Sequence, residues 1–145
     1  MKLTELKEQL TGRSVEESLS ELVKMFPSQV IFTTSFGIED QAITHKIFSN
    51  NLDIKVVTLD TGRLFPETYE VYSQTILKYR KTIHTYFPDY LSVEKLVTEK
   101  GPYSFFDSVE NRKECCRIRK VVPLNRALNG MKVWVSGIRA DQSDN

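Results

Sequence analysis

Two rhythms of apolar residues alternate along this chain, one with the spacing of a helix face and one of short β-rich runs. Leu3, Leu6 and Leu10 share a helical face over Thr4–Leu10, and Gly12 stops that helix. Ser14 opens a second helix, with Glu17 three residues on as a capping box. Val15, Leu19, Leu22, Val23 and Phe26 form its apolar stripe, and Pro27 ends it. Val30–Ser35 (V-I-F-T-T-S) is predicted as a buried strand, followed by a turn at Gly37. Ile38, Ala42, Ile43 and Ile47 mark a third helix that closes near Asn50-Asn51. Ile54–Asp60 reads as a second strand. Pro66 then suits a first helical turn, and Tyr69, Tyr72, Ile76 and Tyr79 carry that helix to Arg80. Thr82–Phe87 is predicted as a third strand, Val93–Glu99 as a short helix, and Gly101-Pro102 as loop. Glu114–Leu128 reads as a helix bent before Pro123, and Lys132–Ser136 as the fourth strand.

Strand and helix take turns, which predicts an α/β fold: a mostly parallel sheet flanked by helices, with right-handed crossovers. Ligands of such sheets sit outside the carboxyl ends of the strands. Three segments fall there: Ser35-Phe36-Gly37-Ile38-Glu39-Asp40, Leu59-Asp60-Thr61-Gly62-Arg63 and Ser136-Gly137-Ile138-Arg139.

Composition narrows the functional classes. The 145 residues suit one domain, and 40% hydrophobic with 27% charged residues fits an ordinary soluble core. A net charge of +1 excludes a globally basic nucleic-acid binder. No apolar run reaches membrane-spanning length, and Met1 to Leu10 has no signal-peptide h-region. Two cysteines without an export signal predict a reducing, cytoplasmic setting rather than a disulfide scaffold.

Those cysteines, Cys115 and Cys116, are adjacent inside R-K-E-C-C-R-I-R-K, where five of the seven neighbouring residues are cationic. Fixed positive charge lowers thiol pKa values and favours metal ligation or nucleophilicity, while adjacent cysteines bridge each other only with strain. The pair therefore asks for a soft metal; the plain alternative is two small hydrophobes at a helix end. S-F-G-I-E-D offers backbone N–H groups at a helix start to an anion, and Gly37 lets the anion approach; an ordinary βα turn would look the same. Asp60 at a strand tip could accept from a ribose hydroxyl or an adenine amine, Gly62 permits close backbone approach, and Arg63 could meet an anion. The alternative is a turn feeding a Pro-started helix. Arg139, just past a strand end, could hold phosphate or sulfate oxygens, or be a solvated tail residue.

Taken in order, S-F-G-I-E-D, L-D-T-G-R-L-F-P-E-T, R-K-E-C-C-R-I-R-K-V-x-P-L and G-I-R-A-D-Q-S resemble the assimilatory adenylyl-sulfate and phosphoadenylyl-sulfate reductases, from about Val30 onward. The resemblance implies the adenine-nucleotide α-hydrolase-like (PP-loop) fold shared with ATP pyrophosphatases. It implies reduction of adenylyl sulfate, or its 3′-phosphorylated form, to sulfite and a nucleoside monophosphate, with thioredoxin or glutaredoxin as electron donor, in sulfate assimilation and cysteine biosynthesis. The Cys-Cys pair is similar to that of the iron–sulfur branch, so Cys115 and Cys116 would be two of four ligands to a 4Fe–4S cluster, with nearby cations offsetting its charge. Arg119 and Lys120 match positions that contact the phosphosulfate. Ser35, Gly37, Asp40, Leu59, Asp60, Thr61, Gly62, Gly137, Ile138 and Arg139 would line the nucleotide site. No nucleic-acid or membrane partner is implied, and self-association is left open.

The likeness has gaps. The family's other two cluster ligands and its nucleophilic Cys lie in a later segment, and this sequence has no third cysteine. The expectation is one nucleotide-binding domain, 1–145, without the redox segment: weak binding of adenylyl sulfate or AMP, and no sulfite release with thioredoxin. His45 and His84 stand alone and suggest no substitute catalyst. Compared with the S-G-G-x-D-[S/T] loop of ATP pyrophosphatases, Phe36 stands in place of a glycine and Asp40 in place of a hydroxyl residue. That predicts a narrower, more acidic loop, less suited to ATP. The rival readings are an ATP-pyrophosphatase-type adenylating or thiolating enzyme, a non-catalytic nucleotide-binding module, and a protein sharing zinc with a partner through its two thiols.

Overall fold

A computed structural model describes residues 2–138. Four parallel strands, β1 (Val30–Thr33), β2 (Lys55–Leu59), β3 (His84–Tyr86) and β4 (Val133–Ser136), form one sheet in the order β3-β2-β1-β4. The register pairs Thr33 with both Val57 and Ser136, and Leu59 with Tyr86. The order steps outward from β1 through β2 to β3, then returns to the other side of β1 with β4. The topological switch point therefore lies between β1 and β4, where an open α/β sheet leaves a crevice at its carboxyl ends.

The central strands read as continuous apolar runs because both their faces are covered. One face packs Phe32 and Val56 against α2 (Val15–Met25) and α3 (Ile38–Ser49), through Leu19, Leu22, Ile47 and Phe48. Tyr72 and Tyr79 of α4 (Pro66–Tyr79) join that layer. The other face packs Ile31 and Val57 against Ala127 and Leu128 of α7 (Val122–Leu128). A short α1 (Leu3–Leu10) lies ahead of these, with no buried residue of its own.

Every predicted strand is present, each trimmed by one to three residues where the chain already turns. Only half of the expected capping box is made: Ser14 Oγ accepts from the Glu17 N–H at 3.1 Å. Two helices differ from expectation because their caps lie upstream of their apolar periodicity. The helix read as Val93–Glu99 is α5 (Tyr90–Lys100), started by Asp89, whose carboxylate accepts from the Ser92 N–H. The cysteine helix starts at Val109 rather than Glu114, because Ser108 caps it through the Asn111 N–H. The loop after Gly101 contains a 3-10 turn, Ser104–Phe106.

The bend expected before Pro123 is a π-helical turn. α6 (Val109–Cys116) runs into Arg117–Val121, where the Val122 N–H reaches the Arg117 carbonyl five residues back, and α7 follows. Proline would remove the ordinary bond to Arg119 and crowd that carbonyl in a regular α-helix. Widening the preceding turn accommodates it, and such turns recur at functional sites.

Candidate functional site

The three turns picked out by sequence meet at the carboxyl ends of β1, β2 and β4. Parts of all three line a cleft of about 490 Å³: Thr33 to Gly37, Glu39 and Asp40; Leu59 and Thr61; and Trp134, Ser136, Gly137 and Ile138, with Lys120 entering from the π turn.

The β1 turn is built around two unusual choices. Phe36 adopts a left-handed backbone, φ 65°, which costs a non-glycine residue about 1–2 kcal/mol. Its ring is buried and stacks on Tyr72 at 4.9 Å. Burial of a phenylalanine returns about 1.5–3 kcal/mol, so packing outweighs the strain. The ring thus belongs to the core, and the backbone rather than the side chain shapes the loop. Asp40, in the first turn of α3, reaches back so that one carboxylate oxygen accepts from both the Ser35 N–H (2.7 Å) and the Ser35 hydroxyl (2.9 Å). The acidic residue is therefore tied to its own loop. Gly37 is the N-cap of α3, whose first N–H groups have no intrahelical acceptor. Gly137 approaches from β4 so closely that a Cβ built there would overlap the Asp40 carboxylate. Any larger residue at 137 would require the Asp40 carboxylate or the β4 turn to move.

Around the β2 turn, Asp60 is buried and faces away from the cleft. Its carboxylate accepts from the Gly62 N–H and from the Tyr69 hydroxyl, each at 2.8 Å. Each oxygen of Asp60 thus already has one donor within the protein, and Asp60 is not among the residues that line the cleft. Gly62, at φ 82°, also lies behind the wall. Arg63, offered by the sequence as an anion ligand, instead donates to the Pro102 carbonyl and lies over the rings of Tyr103 and Phe105.

The two cations after the cysteines divide their tasks. Lys120 lines the cleft, while Arg119 is 7% exposed and donates through Nη1 to the Thr61 carbonyl at 2.6 Å. The buried Arg119 Nε has no hydrogen-bond partner among the described residues. Tyr69 has its hydroxyl held protonated above the ordinary value of 10.0, first by its bond to Asp60, then by desolvation and the Asp60 charge. Arg139 lies outside the described residues.

Cys115 is half-buried and Cys116 exposed, both unpaired, at the end of α6. Consecutive helical residues diverge by about 100°. Among the described residues no group of three or more His, Cys, Asp or Glu side chains converges on a metal position. The pair fits half of a four-thiolate site, and this chain's cysteines cannot complete one. His45 bonds Tyr79 and Ser49 on the α3–α4 side, and His84 lies on β3.

Sequence reasoning missed Trp134, whose Nε1–H donates to Thr33 Oγ1 at 2.9 Å while the indole, 49% exposed, lines the cleft. It also missed Leu64, Thr68 and Tyr69. Strand parity was an available signal for Trp134, which stands two residues before Ser136 and so shares its face.

This geometry has counterparts. A family profile described as "Phosphoadenosine phosphosulfate reductase domain" matches residues 29–145. The chain belongs to this family. It is 46% identical over 124 residues to an adenosine 5′-phosphosulfate reductase of Rhizobium meliloti, covering 86% of this chain and 47% of that protein. It is 44% identical over 140 residues to one of Sinorhizobium fredii, covering 97% and 55%. It is similar to chloroplastic 5′-adenylylsulfate reductase 3 of Arabidopsis thaliana, at 39% identity over 96% of this chain and 30% of that one. The chain thus spans about half the length of the bacterial relatives. A crystal structure of phosphoadenylyl-sulfate reductase from Candida auris, in a phosphate complex, superposes with a TM-score of 0.81 at 27% identity, over 96% of this chain and 68% of that one. The family fold is the PP-loop-like nucleotide-binding sheet expected from the four motifs.

Proposed function

We propose that this domain binds adenylyl sulfate in the switch-point cleft and serves its reduction to sulfite and AMP. The observation that carries the reading is the convergence of the β1, β2 and β4 turns with Lys120 on one cleft. Its parts match the ligand in chemistry. The N-terminal end of α3, with its positive dipole end, and the Lys120 ammonium suit the negative phosphosulfate. The apolar walls of Leu59, Leu64 and Trp134 suit a flat base. Arg119, whose buried Nε has no partner among the described residues, stands directly behind Thr61. The relatives' names favour adenylyl sulfate over its 3′-phosphorylated form, and the phosphate complex of the fungal relative supports an anion site in this fold.

In the reaction, a thiolate attacks the sulfur, the S–O bond to AMP breaks, and an S-sulfocysteine remains. A dithiol reductant such as thioredoxin then attacks the cysteine sulfur, releases sulfite and becomes oxidised as the cysteine is regenerated. The cleft residues orient the anhydride and neutralise the leaving phosphate; the attacking thiolate would come from a cysteine outside this sequence. Cys115 and Cys116 would supply two thiolates to a 4Fe–4S cluster, which when bound would place a compact charged group beside the basic Arg112–Lys120 segment. Two free thiols suit a reducing compartment such as the cytoplasm.

The test uses the intact protein, purified anaerobically. It should bind adenylyl sulfate in preference to ATP with Mg²⁺, release sulfite with thioredoxin, and contain iron and sulfide that Cys115→Ser removes. Lys120→Ala should lower kcat/KM by at least tenfold, the scale of one lost charge-assisted contact of about 1.5–3 kcal/mol. Preferential ATP binding without sulfite release would transfer the chain to the adenylating enzymes.

A further inference from the structure

The wall of the cleft at Thr61 is held from behind by contacts that end on Tyr69, a residue outside every motif that the sequence drew attention to. This step rests on the cleft being the nucleotide site. Asp60 is 6% exposed, and its two carboxylate oxygens have one donor each, the Gly62 N–H and the Tyr69 hydroxyl, both at 2.8 Å. Gly62 is left-handed at φ 82°, and a methyl group added there would lie 3.2 Å from Arg119 Nη1. The same Nη1 donates to the Thr61 carbonyl at 2.6 Å. Thr61 and Thr68, the residue before Tyr69, both face the cleft. One continuous set of contacts thus runs from α4 through the β2 turn to the π turn.

We propose that Tyr69 is a positioning residue for the nucleotide site: its hydroxyl fixes the Asp60 carboxylate, which closes the 60–62 turn and sets where Thr61 and Arg119 stand. A carboxylate is acceptor-only, so its orientation is set by its donors. With the hydroxyl removed, one buried oxygen of Asp60 loses its protein donor, and only the Gly62 bond resists rotation of the carboxylate. The turn then samples positions in which the Thr61 carbonyl and the Arg119 guanidinium no longer meet. Tyr69 is neither a predicted phosphosulfate contact nor a residue that lines the cleft. Its effect passes through Asp60 alone, and that makes the claim testable.

Tyr69→Phe keeps the ring and removes one donor. In the intact protein it should raise the AMP Kd about fivefold, the effect of one hydrogen bond of about 1 kcal/mol, and raise KM for adenylyl sulfate with kcat nearly unchanged. Asp60→Asn should weaken AMP more strongly. The double variant should match Asp60→Asn within about twofold, because contacting groups in one network do not add. An AMP Kd unmoved by Tyr69→Phe, with only the melting temperature lowered, would reduce Tyr69 to a stabilising contact and overturn the proposal. So would multiplicative effects in the double variant. A wild-type protein that binds neither AMP nor adenylyl sulfate would overturn the nucleotide reading and this inference with it. Wild-type binding with an indifferent Tyr69→Phe overturns this inference alone.

Discussion

Asp60 and Gly137 separate what a residue's identity says from what its surroundings decide. The sequence places Asp60 at a strand tip, where an aspartate often meets a sugar. Whether its oxygens are free depends on Tyr69, nine residues on and in a different element, and nothing in local patterning reports that bond. Gly137 is the opposite case. Its place after a strand was legible, yet the reason for a glycine is a clash with Asp40, almost a hundred positions away in sequence. Gly137→Ala forces either the Asp40 carboxylate off Ser35 or β4 away from β1. The expected outcome is at least a tenfold loss of AMP affinity by isothermal titration, with far-UV circular dichroism close to wild type. Unchanged affinity would show that the Asp40–Ser35 bonds do not shape the site.

At the scale of elements, strands and helices were legible because their periodicities are strong and their caps ordinary. The V-I-F-T and K-V-V-T-L runs have no competing reading in a parallel sheet buried on both faces. The segment from Val109 to Leu128 was only partly legible. Pro123 announced an irregularity, but the choice between a kink and a widened turn depends on what Arg119 and Lys120 must reach. With the turn in place, Arg119 points at Thr61 and Lys120 at the cleft. Deleting Val121, which is 43% exposed, should convert the turn to regular helix and rotate Cys115, Cys116, Arg119 and Lys120 by about 100° relative to α7. Circular dichroism should report unchanged helicity while AMP binding falls by an order of magnitude or more. Retained binding would mean that the π turn does not aim these side chains.

For the whole molecule, the order β3-β2-β1-β4 turns three scattered motifs into one site. Placing β4 beside β1 brings Gly137 against Asp40, and placing β2 on the other side brings Thr61 to the same cleft. The order itself was not written in any single segment, although βαβ alternation narrowed the choice, and the ligand end of the sheet followed from strand direction alone. On the proposed reading, the contribution of this domain is to bind and orient the nucleotide. That contribution is read most directly by a titration of the ¹⁵N-labelled protein with adenylyl sulfate, followed by backbone amide shifts. The account predicts perturbations gathered at Thr34–Asp40, Leu59–Gly62, Lys120 and Ser136–Ile138. Shifts confined to α5 or the outer α3–α4 face, or none at ligand excess, would contradict it.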